Sequence, residues 1–158
     1  MSRRVVASGD ELQFVVFRLG EQDLAIGIIQ VERILRYEPP EAWAEGPGFL
    51  AGRMVYNGAR VPVVDLRPRA GQRPVFHEET RTMVLALEPA PLAVVVDQVK
   101  EVLRVDTRTI RPPEGQQPAG LAGAASGTIA RPGRSILVLN AARLLTGEEW
   151  LALSEALT

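Results

Sequence analysis

The sequence predicts a mainly β protein made of two small closed barrels related by a pseudo-twofold, with short helices and a C-terminal helix. The first observation is an internal repeat: LAIGIIQVERILR at 24–36 returns as LAVVVDQVKEVLR at 92–104. The second is a matching pair further along, GRMVYNGARVPVVD at 52–65 and GTIARPGRSILVLN at 127–140. The third is that both halves consist of short apolar runs between turns. Such runs suit small barrels, because closure removes exposed strand edges.

Duplication explains these matches better than chance does. Val and Ile are common in any strand, so one match between β-rich segments carries little weight. Here two matches occur in the same order, and the glycines coincide, Gly52 with Gly127 and Gly58 with Gly133. Self-similarity of this kind indicates repeated structural units. We therefore expect the two halves to fold alike and to pack side by side.

The first half opens with a hairpin. Residues 12–19 and 24–28 are apolar runs on either side of the turn GEQD, and 30–36 fits either a strand or a helical turn. Residues 37–48 are a loop, because their prolines have no amide for a ladder, and Trp43 is its expected anchor.

A second hairpin then turns at Asn57-Gly58, a dipeptide that supplies the positive φ angles of a tight reverse turn. Its strands cover 49–57 and 59–65. Asp65 follows as the expected N-cap of a short helix, since its carboxylate can accept a free amide of the first turn.

The second half repeats this plan. Residues 81–88 and 92–97 form a hairpin about a Pro-Ala-Pro turn, 98–105 follow, and 112–126 are a Pro/Gly-rich loop. The last hairpin covers 127–140, where Asn140 caps a helix as Asp65 does.

The chain should end in a helix. Thr146 and Glu149 fit the S/T-x-x-E capping box, so a helix should run from about residue 147 to 157. Its residues Trp150, Leu153 and Leu157 share one face. The predicted organisation of the chain is a disordered tail (1–11), a first barrel (12–70), a connector (71–80), a second barrel (81–146) and a C-terminal helix (147–158).

Composition excludes several classes of function. The 158 residues include no cysteine and one histidine, so thiolate sites, disulfides and histidine-based metal clusters are excluded. Eighteen basic residues stand against 19 acidic ones, which gives a net charge of −1 and no basic excess for nucleic acid or an anionic membrane. The Arg pair near the N-terminus precedes no apolar signal segment, and the longest apolar run is far too short to span a bilayer. We expect a cytoplasmic protein without membrane insertion.

No set of residues predicts catalysis. His77 lies in the polar connector and is interpreted as a solvated loop residue. Asp65 and Asp97 follow strands, but capping accounts for Asp65 and its counterpart Asn140. The Gly-rich stretch 119–127 lacks a phosphate-loop motif and leads into a strand, so it is interpreted as a mobile loop. We therefore expect no enzyme, no cofactor, no metal and no nucleotide, and instead a binding module for another protein.

Three stretches carry a resemblance to a known family: FRLGEQDLAIGIIQVERIL, FLAGRMVYNGARVPVVDLR and TMVLALEPAPLAVVVDQVKEVL. With IRPP and the terminal ILVLNAARLLTGEE, they resemble the CheW family of bacterial chemotaxis coupling proteins over residues 12–151. The resemblance implies two five-stranded SH3-like barrels. It also implies a scaffold that joins the cytoplasmic tips of methyl-accepting receptors to the regulatory domain of a chemotaxis histidine kinase.

The resemblance also supplies candidate partner-binding positions. Each has a plainer explanation, since Ile28 and Val31 also fit a core and a glycine serves backbone conformation. The predicted partner-binding residues are Ile28, Val31, Arg33, Ala51, Gly52 and Asn57.

The chain departs from the family pattern at several of these positions. Asn57 stands where the family writes an arginine used for partner contacts, Arg33 replaces an acidic residue, and Ala51 replaces a basic one. The resemblance therefore suggests a divergent coupling protein of a secondary motility or developmental system, with one partner interface lost or altered. The alternatives are a barrel-pair adaptor outside receptor arrays and, least favoured, a small-ligand carrier that uses the barrel mouths.

Overall fold

The computed structural model describes residues 10–157. Within them run ten strands: β1 (Glu11–Leu19), β2 (Gln22–Gly27), β3 (Val31–Arg36), β4 (Gly52–Tyr56), β5 (Ala59–Asp65), β6 (Arg81–Leu85), β7 (Leu92–Val96), β8 (Gln98–Asp106), β9 (Ala125–Arg131) and β10 (Arg134–Leu139). The same residues form two α-helices, α1 (Ala119–Ala122) and α2 (Gly147–Leu157), and several single 3₁₀ turns. Neither helix in this part of the chain has the length and apolar composition needed to cross a bilayer.

The strands form two five-stranded sheets. Barrel A has the order β8-β1-β2-β10-β9, and barrel B has the order β3-β6-β7-β5-β4. In each barrel, the segment that follows one edge strand forms an isolated bridge with the other edge strand. Arg111, after β8, pairs with Thr128 of β9 in barrel A, and Glu41, after β3, pairs with Arg53 of β4 in barrel B. The mainly β class and the pair of five-stranded barrels are thus confirmed.

The internal repeat is visible in the strand order. The sequence repeat equates β1 with β6, β2 with β7, β3 with β8, β4 with β9 and β5 with β10. Making these exchanges converts the order of barrel A into that of barrel B. The register agrees as well, since Gly52 pairs with Val63 and Gly127 pairs with Val138. The turn glycines Gly58 and Gly133 both have positive φ, +78° and +72°.

The predicted division into contiguous barrels at 12–70 and 81–146 is wrong. Each barrel combines strands of both halves, because β2 pairs in parallel with β10 and β5 pairs in parallel with β7. A 3₁₀ turn at Ile28–Gln30 carries the chain from barrel A into barrel B. Equivalent strands of the two halves have similar apolar patterns. The sequence repeat is therefore compatible with strands that pair within one half and with strands that pair between the halves.

Three apolar clusters fill the structure. Along β1, Phe14 and Val16 point into barrel A, whereas Val15 and Phe17 point into a central cluster to which strands of both sheets contribute. The interior of barrel B holds the buried residues Val61, Val63, Ala93 and Val95. Strands buried on both faces explain the continuous apolar runs in the sequence. Because side chains fill both interiors, a ligand carrier that uses the barrel mouths loses support.

The Gly-rich stretch is not the mobile loop that we predicted. Residues 119–122 form α1, and Leu121 is completely buried in the central cluster. Gly120 lies against the backbone of Arg69, where a side chain would collide with the Arg69 carbonyl. One buried leucine and one close backbone approach therefore anchor this segment between the barrels.

The C-terminal helix forms with the predicted capping box. The amide of Thr146 donates to the Glu149 carboxylate at 2.9 Å, and the amide of Glu149 donates to the Thr146 hydroxyl at 3.1 Å. Leu153 is fully buried, but Leu157 is exposed, so the predicted apolar face is packed only in part.

The predictions at the chain ends are tested only in part. Residues 1–9 of the predicted tail and residue 158 of the predicted helix lie outside the described residues. Glu11 does not belong to a tail, since it opens β1 and pairs with Asp106. Further along, the Asn140 side chain accepts from the amide of Ala142 at 3.1 Å, which confirms it as a helix cap.

Candidate partner-binding surfaces

The predicted residues Ile28, Val31 and Arg33 lie close together where the chain passes between the barrels. Ile28 is 36% exposed on the 3₁₀ turn, and its neighbour Ile29, which sequence reasoning missed, is 90% exposed. Val31 opens β3 and packs against the central cluster, as does its repeat equivalent Val99. We call Ile28, Ile29 and Val31 the junction surface. The signal for Ile29 was present in the sequence: two consecutive isoleucines break the strand alternation directly after a glycine.

Arg33 extends this region with a free positive charge. It is exposed on β3, opposite Val84 across the pair of β3 with β6. A β-bulge at Val31–Arg33 leaves one residue of β3 unpaired there, which re-aims the side chains that follow. Within residues 10–157, Arg33 forms no ion pair. An exposed apolar surface beside an unpaired guanidinium has the composition of a protein contact.

The other predicted residues do not join this group. Ala51 is exposed and lines a separate groove of about 600 Å³ together with Phe49, Leu50, Pro68 and Arg69. Asn57 lies at the tip of the β4–β5 hairpin. The five residues of β4 separate it from Gly52 by about 17 Å. The six predicted positions therefore form at least three separate sites.

The backbone structure explains why residue 52 is a glycine. It is buried, its φ is +144°, and a Cβ at this position would overlap the carbonyl oxygen of Glu41. The close approach allows the backbone bridge between Glu41 and Arg53, with N–O distances of 2.8 and 2.9 Å. Gly52 thus offers no side-chain surface to a partner, and backbone geometry explains its presence.

Sequence reasoning missed the most deeply buried charged residue, Arg67, and the polar cluster around it. Arg67 is completely buried, and its guanidinium donates to both carboxylate oxygens of Asp65 at 2.9 Å and to Asp97 at 2.9 Å. It also donates to the carbonyl of Val75 at 2.7 Å. Asp65 additionally accepts from the amide of Arg67 at 3.0 Å, so it holds the turn before the 3₁₀ segment Pro68–Ala70 and does not cap that segment directly. Two acidic residues at the ends of the paired strands β5 and β7 were the available signal.

The cluster clamps the connector onto barrel B. Phe76 lies over the Arg67 guanidinium at 4.7 Å and stacks on Tyr37 at 4.7 Å. Burial would lower the pKa of Arg67, but the hydrogen bonds to Asp65 and Asp97 outweigh it and raise that pKa above its ordinary value. Burial also raises the pKa of the Tyr37 hydroxyl, and the Asp65 carboxylate raises it further. The two acids thus hold a permanent cation in place and act as structural groups.

His77 is exposed in the connector, as predicted. Its Nδ1 accepts from the amide of Glu79 at 3.2 Å, and its Nε2 lies 3.8 Å from the Asp97 carboxylate.

A second polar cluster lies on barrel A. The nearly buried Asp23 pairs with Arg18 at 3.1 Å, Arg134 at 3.0 Å and Lys100 at 3.6 Å. Burial would raise the pKa of Asp23, but the Arg18 hydrogen bond and the charges of Lys100 and Arg134 hold it below its ordinary value. In both clusters the carboxylates are committed to arginines, and in neither does a nucleophile face a base.

Comparison with known proteins agrees with this geometry. The family described as "CheW-like domain" matches residues 13–149. The Chemotaxis protein CheW of Klebsiella aerogenes is 34% identical over 101 residues, which cover 63% of this chain and 61% of that protein. The match thus spans about three fifths of that relative's length. The Chemotaxis protein CheW of Rhizobium meliloti is 25% identical over 149 residues, which cover 94% of this chain and 95% of that protein.

A solved structure shares the fold. The scaffolding protein TtCheW from Thermoanaerobacter tengcongensis superposes with a TM-score of 0.76 at 22% identity, over 87% of this chain and 94% of that one. At this identity the likeness shows the arrangement of the two SH3-like barrels. Taken with the family match over residues 13–149, it leads to one conclusion: the chain belongs to the CheW-like domain family.

Proposed function

We propose that this chain is a non-enzymatic adaptor that couples the cytoplasmic tips of methyl-accepting chemoreceptors to the regulatory domain of a chemotaxis-type histidine kinase. The observation that carries the proposal is the junction surface, where Ile28 and Ile29 are exposed beside Val31 on a packed core. Isolated exposed leucines or valines are ordinary, but adjacent exposed isoleucines on a rigid base suit a protein contact. The relatives named chemotaxis proteins indicate the class of partner.

The engagement of the buried carboxylates within residues 10–157 favours an adaptor over an enzyme. In the described residues the buried carboxylates are engaged by Arg67 in one cluster and by Arg18 and Arg134 in the other. An adaptor of this kind acts in the cytoplasm at receptor arrays, and we assign this chain to that location.

The finer part of the proposal is that one partner interface is altered. Arg33 and Asn57 depart from the family pattern, and both are exposed at sites where a partner can reach them. Such changes suit a secondary motility or developmental system with its own receptor or kinase. Partner specificity in such interfaces depends on charge complementarity.

Replacing Ile29 with glutamate should weaken binding of the receptor tip by more than tenfold. The change places a charge at the centre of the apolar junction surface, and loss of a central interface residue costs on the order of 2 kcal/mol. The measurement is calorimetric titration with a soluble signalling-tip fragment of a receptor encoded in the same genome. The matched control is Leu151→Glu, since Leu151 is an exposed leucine on the outer side of α2. Equal affinities for wild type and Ile29→Glu would show that the receptor binds elsewhere.

The double change Arg33→Glu with Asn57→Arg restores the family charges and should strengthen binding to at least one partner, receptor tip or kinase regulatory domain. A bidentate arginine contact is unavailable to asparagine, and Arg33 repels a partner that presents a base. Titrating wild type and variant against both partners measures the change. If the wild type binds both tightly and the variant binds both less well, the substitutions are matched adaptations. Binding of neither partner by the wild type would favour an adaptor outside receptor arrays.

A further inference from the structure

Barrel B has an open slot that the proposed function does not use. It has a volume of about 510 Å³ and lies between the end of β3, the segment that follows it, and the edge strand β4. Its lining combines apolar, acidic and basic side chains: Leu35, Arg36, Glu38, Pro39, Glu41, Arg53, Met54, Val55 and Thr82.

Two prolines keep the slot open. Glu41 pairs with Arg53 in an antiparallel bridge. Continued in the same register, the ladder would set Pro40 opposite Met54 and Pro39 opposite Val55. The pair of residues 39 and 55 would be the next hydrogen-bonded pair, and Pro39 has no amide to donate to it, so the ladder stops after one bridge. The chain beyond β3 therefore lies beside β4 without pairing to it.

This leaves unused hydrogen-bonding groups on β4. The amide and carbonyl of Arg53 bond to Glu41 on the side away from β5, at 2.9 and 2.8 Å. Because strand geometry repeats every two residues, the amide and carbonyl of Val55 face the same side. Apart from the bridge between Glu41 and Arg53, β4 pairs only with β5 in the described part of the chain, so these two groups of Val55 have no strand partner there. The Val55 side chain is itself 62% exposed.

The slot also has a basic end. Arg36 lies directly opposite Arg81 in the pairing of β3 with β6, and like charges in that position repel. Arg81 donates to the carbonyls of Glu78 and Thr80, whereas Arg36 forms no ion pair within residues 10–157.

The acidic lining of the slot is partly neutralised. The Glu41 carboxylate lies within 3.4 Å of Arg53 and 3.5 Å of Arg60, and the buried Nε of Arg53 still lacks a hydrogen bond. Glu38 is the lining acid without such a pair. At the basic end of the slot, a carboxylate supplied by a ligand would relieve the repulsion between Arg36 and Arg81.

We propose that this slot binds an extended, acidic peptide segment of a partner protein. The segment adds to the edge of β4 through the amide and carbonyl of Val55, and it places a carboxylate side chain beside Arg36. Addition of a strand to a free sheet edge uses main-chain bonds for affinity and side-chain contacts for specificity. The inference uses the β4 edge and not the junction surface, so it can be tested separately from the receptor contact proposed above.

The probe is a library of random linear heptapeptides displayed on phage and selected against the full chain. Recovered sequences should contain Asp or Glu among β-branched residues, and their synthetic copies should bind in fluorescence anisotropy titrations. Val55→Pro removes only the outward amide, so it should weaken binding about three- to tenfold, as expected for one lost backbone hydrogen bond. Val55→Thr should bind as the wild type does. Arg36→Gln should weaken acidic peptides and leave their Gln counterparts unchanged.

A second measurement keeps the test decisive if Val55→Pro fails to fold. In the wild-type chain, hydrogen exchange of the Val55 amide should slow when an acidic peptide is added, while the exposed amides of α2 stay unchanged. The proposal is overturned if no peptide is recovered, if the recovered peptides are neutral or basic, or if the Val55 amide is not protected. Equal weakening by Ile29→Glu would also overturn it, since the peptide would then lie on the junction surface.

Discussion

Replacing Arg67 with methionine should lower the free energy of unfolding by about 3–5 kcal/mol, the usual cost of removing one partner from a buried ion pair. Arg67 is completely buried and serves two carboxylates, so the change leaves Asp65 and Asp97 without their counter-ion. The Val75 carbonyl and the ring of Phe76 lose their contact as well, which should free the connector. Chemical denaturation followed by circular dichroism measures the loss.

The matched control is Arg60→Met. Arg60 is an exposed arginine on β5 whose partner Glu41 lies 3.5 Å away, and exposed pairs contribute at most about 1 kcal/mol. Adding Asp65→Asn and Asp97→Asn to Arg67→Met should recover part of the loss, because it removes the uncompensated charges. If Arg67→Met were no more harmful than Arg60→Met, the cluster would not hold the connector.

Gly52→Ala should destabilise the protein by about 2–4 kcal/mol. The new Cβ would overlap the backbone carbonyl of Glu41, which cannot move away as a flexible side chain could, and it would add strain at a φ of +144°. The bridge between Glu41 and Arg53 should break, so the slot beside β4 should widen. The denaturation midpoint measures the loss of stability, and hydrogen exchange of the Arg53 amide measures the loss of the bridge.

Gly58→Ala separates strain from collision. Gly58 also has positive φ, +78°, but nothing lies within 4 Å of an added Cβ. Its cost should therefore be only the backbone strain of about 1 kcal/mol. Gly127→Ala tests the repeat equivalent, where an added Cβ would meet a side-chain methyl of Ile110 at 2.7 Å and the Arg111 carbonyl only at 3.1 Å. Similar losses for all three variants would refute the steric explanation of Gly52.

The candidate surfaces were predictable only in part. The resemblance led to Ile28, Val31 and Arg33, which the structure places together, but it also led to Gly52, which is buried. It missed Ile29, the most exposed of these residues at 90%, because periodicity does not show which of two adjacent isoleucines faces the solvent. The local sequence pattern also suggested that Asp65 is a cap, since one residue in a sequence does not reveal that a buried arginine binds it.

The sequence by itself determined the strands, the turns and the duplication, because these depend on local properties. Apolar runs, Asn-Gly turns and capping residues each act within a few positions of the chain. Tertiary structure alone decided which strands pair. The repeated halves present similar strands, so local pattern cannot distinguish pairing within one half from the exchange that places β10 beside β2 and β5 beside β7. Tertiary structure also decided which charged residues are buried and which are exposed. Whether Arg67 is a surface charge or a buried clamp depends on Asp97 and Val75, which only the folded chain brings to it.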